Sequence, residues 1–289
     1  MSEELVGAMR HDALEERSLN YTPCRYGTSK IFFRGPQRSL DGRYVTFVGG
    51  TETYGKFIKE PFAQLVERQV GMPTVNFGCA NASIGAFLAE PTVVDACRGA
   101  HANVVQIMGA QNLSNRFYSV HPRRNDRFLK PSTVLEAIYP EVDFADFCFT
   151  RHMLIALHEL SAERFEIVRG ELQQAWVSRM TTFLREIGPH TSLLWFSDYP
   201  PSDRHWSERP EGLQAEPLFI TRRMIDSLRP LVRSVIVVQP SEGARAEGTR
   251  GMYFAPQDAG AAQGLPGPQA HREAADAISE TLHALAPAE

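Results

Sequence analysis

The sequence predicts an α/β protein built on a parallel sheet with helices on both faces. Two observations carry this. Short apolar runs bounded by Gly, Pro or polar residues recur at 44–49, 73–77, 103–108, 191–197 and 234–238, as buried parallel strands do. Between them lie segments with apolar residues every three or four positions, the spacing of an amphipathic helix. Alternation of the two element types argues for a layered α/β domain.

The first strand ends in Val48-Gly49-Gly50-Thr51, a strand–turn–helix junction. Residues 55–70 then place Phe57, Ile58, Phe62, Leu65 and Val66 on roughly one face of a predicted helix. A longer helix is predicted from Ser161 to Ile187. Its stripe is Phe165, Val168, Leu172, Trp176, Met180, Phe183 and Ile187. Ser161 suits its N-cap and Gly188-Pro189 its stop. The last helix, about 270–285, aligns Ala274, Ile278, Leu282 and Leu285. Residues 1–42 read as an N-terminal extension packed on the body, and 43–289 as a single domain. Residues 109–160 form an insertion after the third strand, expected to be helical in part and to lie over the site.

Composition bounds the function. The 289 residues are 43% hydrophobic and 22% charged, with a net charge of −4. That is ordinary for a globular protein and gives no basic surface for nucleic acid. No apolar run approaches the roughly 18 residues of a membrane span, and the N-terminus lacks a signal-peptide pattern. Cys24, Cys79, Cys97 and Cys148 form no CxxC pair, so neither a metal site nor a disulfide framework is indicated. The expectation is a cytoplasmic protein with no cofactor and no membrane span.

The residues at the strand ends carry the chemistry. Thr51 is presented after the first strand. Gly78 follows the second, in Asn76-Phe-Gly-Cys-Ala-Asn81. The third ends in Gly109-Ala-Gln111-Asn112, and His271 opens the last helix. Ligands of open α/β sheets bind at such carboxyl ends. A hydroxyl nucleophile needs a base, and acyl transfer needs oxyanion donors. Thr51 is therefore the candidate nucleophile and His271 the base. Gly78, Gln111 and Asn112 are the candidate oxyanion donors.

In these blocks the chain resembles the SGNH (GDSL-type) hydrolase superfamily over about 44–285. Gly49-Gly50-Thr51-Glu-Thr-Tyr-Gly55 stands for Gly-Asp-Ser-x-x-x-Gly. Gly109-Ala-Gln111-Asn112 stands for Gly-x-Asn-Asp, and Pro268-Gln-Ala-His271 for Asp-x-x-His. The resemblance implies a flavodoxin-like three-layer α/β/α sandwich with a five-stranded parallel sheet of order 2-1-3-4-5. It also implies esterase or acyltransferase activity. The substitutions matter. Pro268 replaces the carboxylate that would orient His271, so Asp198, at the end of the fourth core strand, is the candidate replacement. The chain as a whole also resembles a bacterial family of this type, and that likeness implies no activity.

Two further readings arise from the residues. Gly50-Thr-Glu-Thr-Tyr-Gly55-Lys56 matches a phosphate loop as far as its lysine, which would suit a sulfotransferase or a nucleotide enzyme. Phe57 stands where the magnesium-binding hydroxyl belongs, and Glu52 puts a carboxylate in the cradle. The insertion contributes Arg116, His121, Arg123, Arg124 and Arg127 among aromatics. Arginine forks suit carboxylate, sulfate or phosphate, so an anionic or carbohydrate-type small molecule or glycan is the expected substrate. The remaining alternative is an inactive SGNH-like scaffold that binds a glycan or a protein.

Overall fold

A computed structural model describes residues 19–284. The first half of the chain forms β1 (Val45–Gly49), α1 (Thr51–Tyr54), α2 (Phe62–Val70), β2 (Thr74–Gly78), α3 (Ile84–Leu88), α4 (Pro91–Gly99) and β3 (Ala102–Gln106). The insertion holds β4 (Tyr118–His121), β5 (Arg124–Pro131), α5 (Thr133–Ile138) and α6 (Thr150–Leu160). Then come α7 (Ala162–Ile187), β6 (Thr191–Phe196), α8 (Arg222–Leu228), β7 (Ser234–Val238), α9 (Glu242–Glu247), α10 (Ala259–Gln263) and α11 (Pro268–Ala284).

The sheet runs β2-β1-β3-β6-β7, all parallel. With β6 and β7 as the fourth and fifth core strands, this is the expected order. Alternation along each strand sends side chains to two cores. Val48, Val105 and Leu193 join Trp176, Met180 and Phe183 of α7 and Val93 and Cys97 of α4. Phe47, Val104, Leu194 and Ile236 join Phe62 and Val66 of α2 and Ala274 and Ile278 of α11. The sheet therefore separates two helical layers. Among the described residues, no helix is long and apolar enough to cross a membrane.

The long helix begins at its expected cap, where Ser161 accepts from the Arg164 amide at 3.2 Å. Two local expectations change. The helix predicted from 55 starts at Phe62, because Gly55 is left-handed (φ 70°) and closes α1, while Pro61 is the N-cap of α2. Phe57 also has a positive φ of 68°, and this backbone is not helical. The insertion contains an antiparallel hairpin, β4–β5, beside its helices. Tyr118, Val120, Asn125 and Phe128 are its buried residues, and the turn between the strands falls at Pro122-Arg123.

The described part of the extension, 19–42, packs on the body. Tyr26, Ile31 and Phe33 are buried, and Phe33 sits edge-on to Phe77 of β2. The loop after α1 is tied by Arg34, which is 7% exposed. Its Nη1 donates to the carbonyls of Tyr54 (3.2 Å) and Gly55 (2.6 Å). Its Nη2 donates to those of Ile58 (2.7 Å) and Lys59 (2.9 Å). Arg34 is thus a structural clamp. Hydrogen bonds from a charged donor contribute more than neutral ones. Arg34→Met should cost about 3 kcal/mol or more in urea unfolding; a loss within about 0.5 kcal/mol, as at an ordinary surface site, would show that the clamp is dispensable.

Candidate active site

In a sheet of this order the chain reverses direction between β1 and β3, and ligands bind at that switch point. A cavity of about 370 Å³ opens there. The β1–α1 turn lines it with Gly50, Thr51 and Glu52. The end of β3 supplies Gln106, Met108, Gly109, Gln111 and Asn112. Asn81, Asp126, Thr150, Arg151, Phe196 and Glu216 complete most of the wall.

Gln106 organises the turn. Its Oε1 accepts from the Gly50 amide (3.0 Å), the Thr53 amide (3.3 Å) and the Thr53 hydroxyl (2.5 Å). Its Nε2 donates to Glu52 Oε2 at 2.7 Å. This close fit requires Gly49, since a Cβ there would collide with Thr53 Oγ1 and with Gln106. The amide oxygen occupies the cradle that a phosphate would need. Lys56, whose Nζ lies 4.8 Å from the Phe57 ring centre, does not line the cavity.

Glu216 faces the same space. Arg151 Nη2 forms an ion pair with its Oε1, Gln111 Nε2 donates to that oxygen at 2.8 Å, and the Leu218 amide donates to Oε2 at 3.2 Å. Burial among the cavity walls raises its carboxyl pKa; Arg151 opposes the shift and the charge of Glu52 adds to it. Because 42% of the side-chain surface remains open, water in the cavity tempers the effect.

Thr51 lines the cavity as expected, but its hydroxyl does not cap its own helix: Gly50 is the N-cap. Thr51 Oγ1 accepts from the Asn81 amide at 3.0 Å and donates to Asn81 Oδ1 at 3.3 Å. Asn81, at φ 57°, donates from Nδ2 to Asp126 at 3.1 Å. Asn112 also lies in the wall. Its Nδ2 donates to the Asn81 carbonyl (3.2 Å) and its Oδ1 accepts from Thr150 (2.6 Å). Its amide hydrogens therefore turn towards the loop.

Other expected site residues lie elsewhere. Gly78 does not line the cavity. Its N–H donates to Asn76 Oδ1 at 2.8 Å. A Cβ there would collide with the backbone of Thr53 and Tyr54, so this glycine lets α1 sit against β2. His271 is 1% exposed. Its Nδ1 accepts from the Phe62 amide at 3.2 Å, and its ring stacks on Phe62 and meets Phe196 edge-on. It packs behind the cavity wall, and the Thr51–His271 dyad is not assembled. Asp198 is exposed and lines a neighbouring cavity, so it does not replace the missing triad carboxylate beside His271.

The arginines expected at the site, Arg116, Arg123, Arg124 and Arg127, also lie outside the cavity. Arg116 pairs with Glu171, Nε to Oε2 at 2.6 Å. His121 Nδ1 accepts from the amides of Arg123 and Arg124, both at 3.2 Å, and so shapes the hairpin turn. Arg123 is exposed. Arg127 lies over the Phe149 ring at 4.5 Å. Glu52, Arg151 and Glu216 are among the cavity residues that sequence reasoning missed. Glu52 was visible only as an obstacle to phosphate, and no motif marks the other two.

Among the described residues, no group of three His, Cys, Asp or Glu side chains is placed to hold a metal ion. The sequence matches the family described as "Domain of unknown function (DUF6473)" over residues 9–286. No curated protein matches. A protein of Lactobacillus plantarum, solved as a structural-genomics target, is 11% identical, with a TM-score of 0.38, over 84% of this chain and 98% of that one. A likeness at that level carries no argument about function.

Burial pushes the His271 pKa down from 6.5 to about 3, and the charge of Arg34 adds to the shift. The unfolded chain takes up this proton before the folded chain does, so stability is lost as pH falls below 6.5. The loss should reach about 2 kcal/mol at pH 5 relative to pH 8. His271→Gln should flatten this dependence in urea unfolding; parallel curves for the two proteins would contradict the buried neutral imidazole. Gln106→Leu strips the acceptor from three donors and should cost about 2 to 3 kcal/mol. Equal stability of variant and wild type would contradict its role in the turn.

Proposed function

The chain belongs to the DUF6473 family, and we propose that it is a hydrolase that cleaves a C–O bond of a carbohydrate-type substrate by carboxylate acid–base chemistry. The observation that carries the reading is the pair Glu52 and Glu216 in one cavity at the switch point, with the Glu216 pKa raised. Pairs of carboxylates set apart by their surroundings serve as acid and base. Glu216 would give its proton to the leaving oxygen. Glu52, held by Gln106, would take a proton from the water that adds to the other fragment. The water is consumed and each carboxyl ends in the other's starting form, so a proton must return through solvent before the next turnover.

The lining supports the substrate class. Asn81, Asn112 and Asp126 keep partly open polar side chains in the wall, suited to hydroxyls, and Phe149, 42% exposed, offers aromatic surface at the rim. Glu52, Asp126 and Glu216 outnumber the lining cation Arg151, which disfavours an anionic ligand, nucleic acid included. The bond can be an ester or a glycosidic link. A cytoplasmic location belongs to the same proposal, supported by four free cysteines.

A second reading keeps SGNH-type acyl chemistry, favoured by the place of the Thr51 hydroxyl in the cavity wall at the end of β1. The base would then have to be a cavity carboxylate, because His271 is committed to the core. A sulfo- or phosphoryl-transfer role has less support, since Gln106 fills the anion cradle.

A panel of p-nitrophenyl glycosides and p-nitrophenyl esters separates these readings. Turnover should fall at least about 100-fold in Glu216→Gln and in Glu52→Gln, with folding retained by circular dichroism, and Thr51→Val should stay near wild type. Loss of turnover in Thr51→Val, with fluorophosphonate labelling of the wild type, would favour acyl transfer. No turnover of any probe would defeat both.

A further inference from the structure

A second cavity, of about 440 Å³, adjoins the first. The two share Glu52, Phe196, Glu216, Gly264 and Leu265. The carboxylate pair therefore stands where the cavities meet and not at a blind end. Each volume falls in the range of a small-molecule site.

The second cavity has its own walls. The end of β6 gives Ser197, Asp198 and Tyr199, and the loop before Glu216 gives Gln214. Ser197 Oγ and Tyr199 OH both donate to the Glu216 carbonyl at 2.7 Å. The backbone of Glu216 is thus fixed from the second cavity, while its carboxyl is fixed from the first by Arg151 and Gln111. Asp198 is exposed, and so is Gln214, whose Oε1 accepts from Arg151 Nη1 at 3.4 Å and whose amide N–H groups can meet hydroxyls. Arg245, whose Nη1 donates to the Pro240 carbonyl at 2.9 Å, is outnumbered in this lining by Glu52, Asp198, Glu211 and Glu216, so carboxylates set the sign of this cavity too.

We propose that the ligand is a linear, non-anionic oligosaccharide-type chain of at least two units. One unit occupies each cavity, and the linkage between them lies at Glu52 and Glu216. This rests on the hydrolase reading for its chemistry but adds what that reading does not require, a second occupied subsite. A substrate confined to the first cavity would leave the second cavity and its polar wall unfilled. A chain through both explains why the catalytic pair lines both.

Isothermal titration calorimetry on the full chain tests it with cellobiose, maltose and N,N′-diacetylchitobiose, against glucose and N-acetylglucosamine. At least one disaccharide should bind tenfold or more tightly than its own monosaccharide. The double variant Asp198→Ala with Gln214→Ala should bring that disaccharide down to the affinity of the monosaccharide. Both positions are exposed, and thermal unfolding checks that the variant is folded. Equal affinity of monosaccharide and disaccharide, or a disaccharide advantage that survives the double variant, overturns the two-subsite proposal while leaving the first cavity a sugar site. Absence of binding by every probe overturns the carbohydrate reading together with it.

Discussion

The amide of Gln106 is the interaction on which the cavity depends. One oxygen satisfies two backbone amides and a hydroxyl of the β1–α1 turn, and the nitrogen of the same group holds Glu52. Buried polar groups are costly when unpaired, so this single side chain sets both the shape of the turn and the direction of the carboxylate. It also decides between two chemistries. A turn whose amides point at an empty cradle can receive phosphate; a turn whose amides are already met by a fixed amide oxygen presents its acidic side chain instead.

The rest of the molecule supports that turn from three sides. Gly49 and Gly78 let Gln106 and α1 approach without a Cβ in the way. Arg34 reaches in from the extension and binds four carbonyls at the end of α1 and in the loop after it. The Asn81–Asp126 and Asn112–Asn81 contacts join the turn after β2 to the insertion. The insertion thereby forms one wall of the cavity and places Arg151 in it, while Arg116, Arg123, Arg124 and Arg127 lie outside.

The sheet was legible in the sequence because buried parallel strands are short apolar runs with clear ends. The five predicted strands and their order match the structure. The long α7 was legible for the same kind of reason, a stripe of large residues with a serine cap. The site was legible only in position. Thr51, Gln111 and Asn112 do reach the cavity. His271 does not, because position in the chain says nothing about which way a helix's first turn faces; α11 turns this residue into the core against Phe62 and Phe196. Arg116 to Arg127 are a charge run that solvates and shapes a hairpin. Glu216 could not be found, since its role comes from a loop folded over the sheet from 105 residues beyond Gln111.

The most direct measurement is the titration of the Glu216 carboxyl, followed by carbon-13 NMR of side-chain-labelled glutamate in wild type and in Glu52→Gln. A coupled acid–base pair predicts a Glu216 pKa above the ordinary carboxylate value, falling when the charge of Glu52 is removed. A Glu216 that titrates at the ordinary value in both proteins would contradict the pair, and with it the catalytic reading of the cavity.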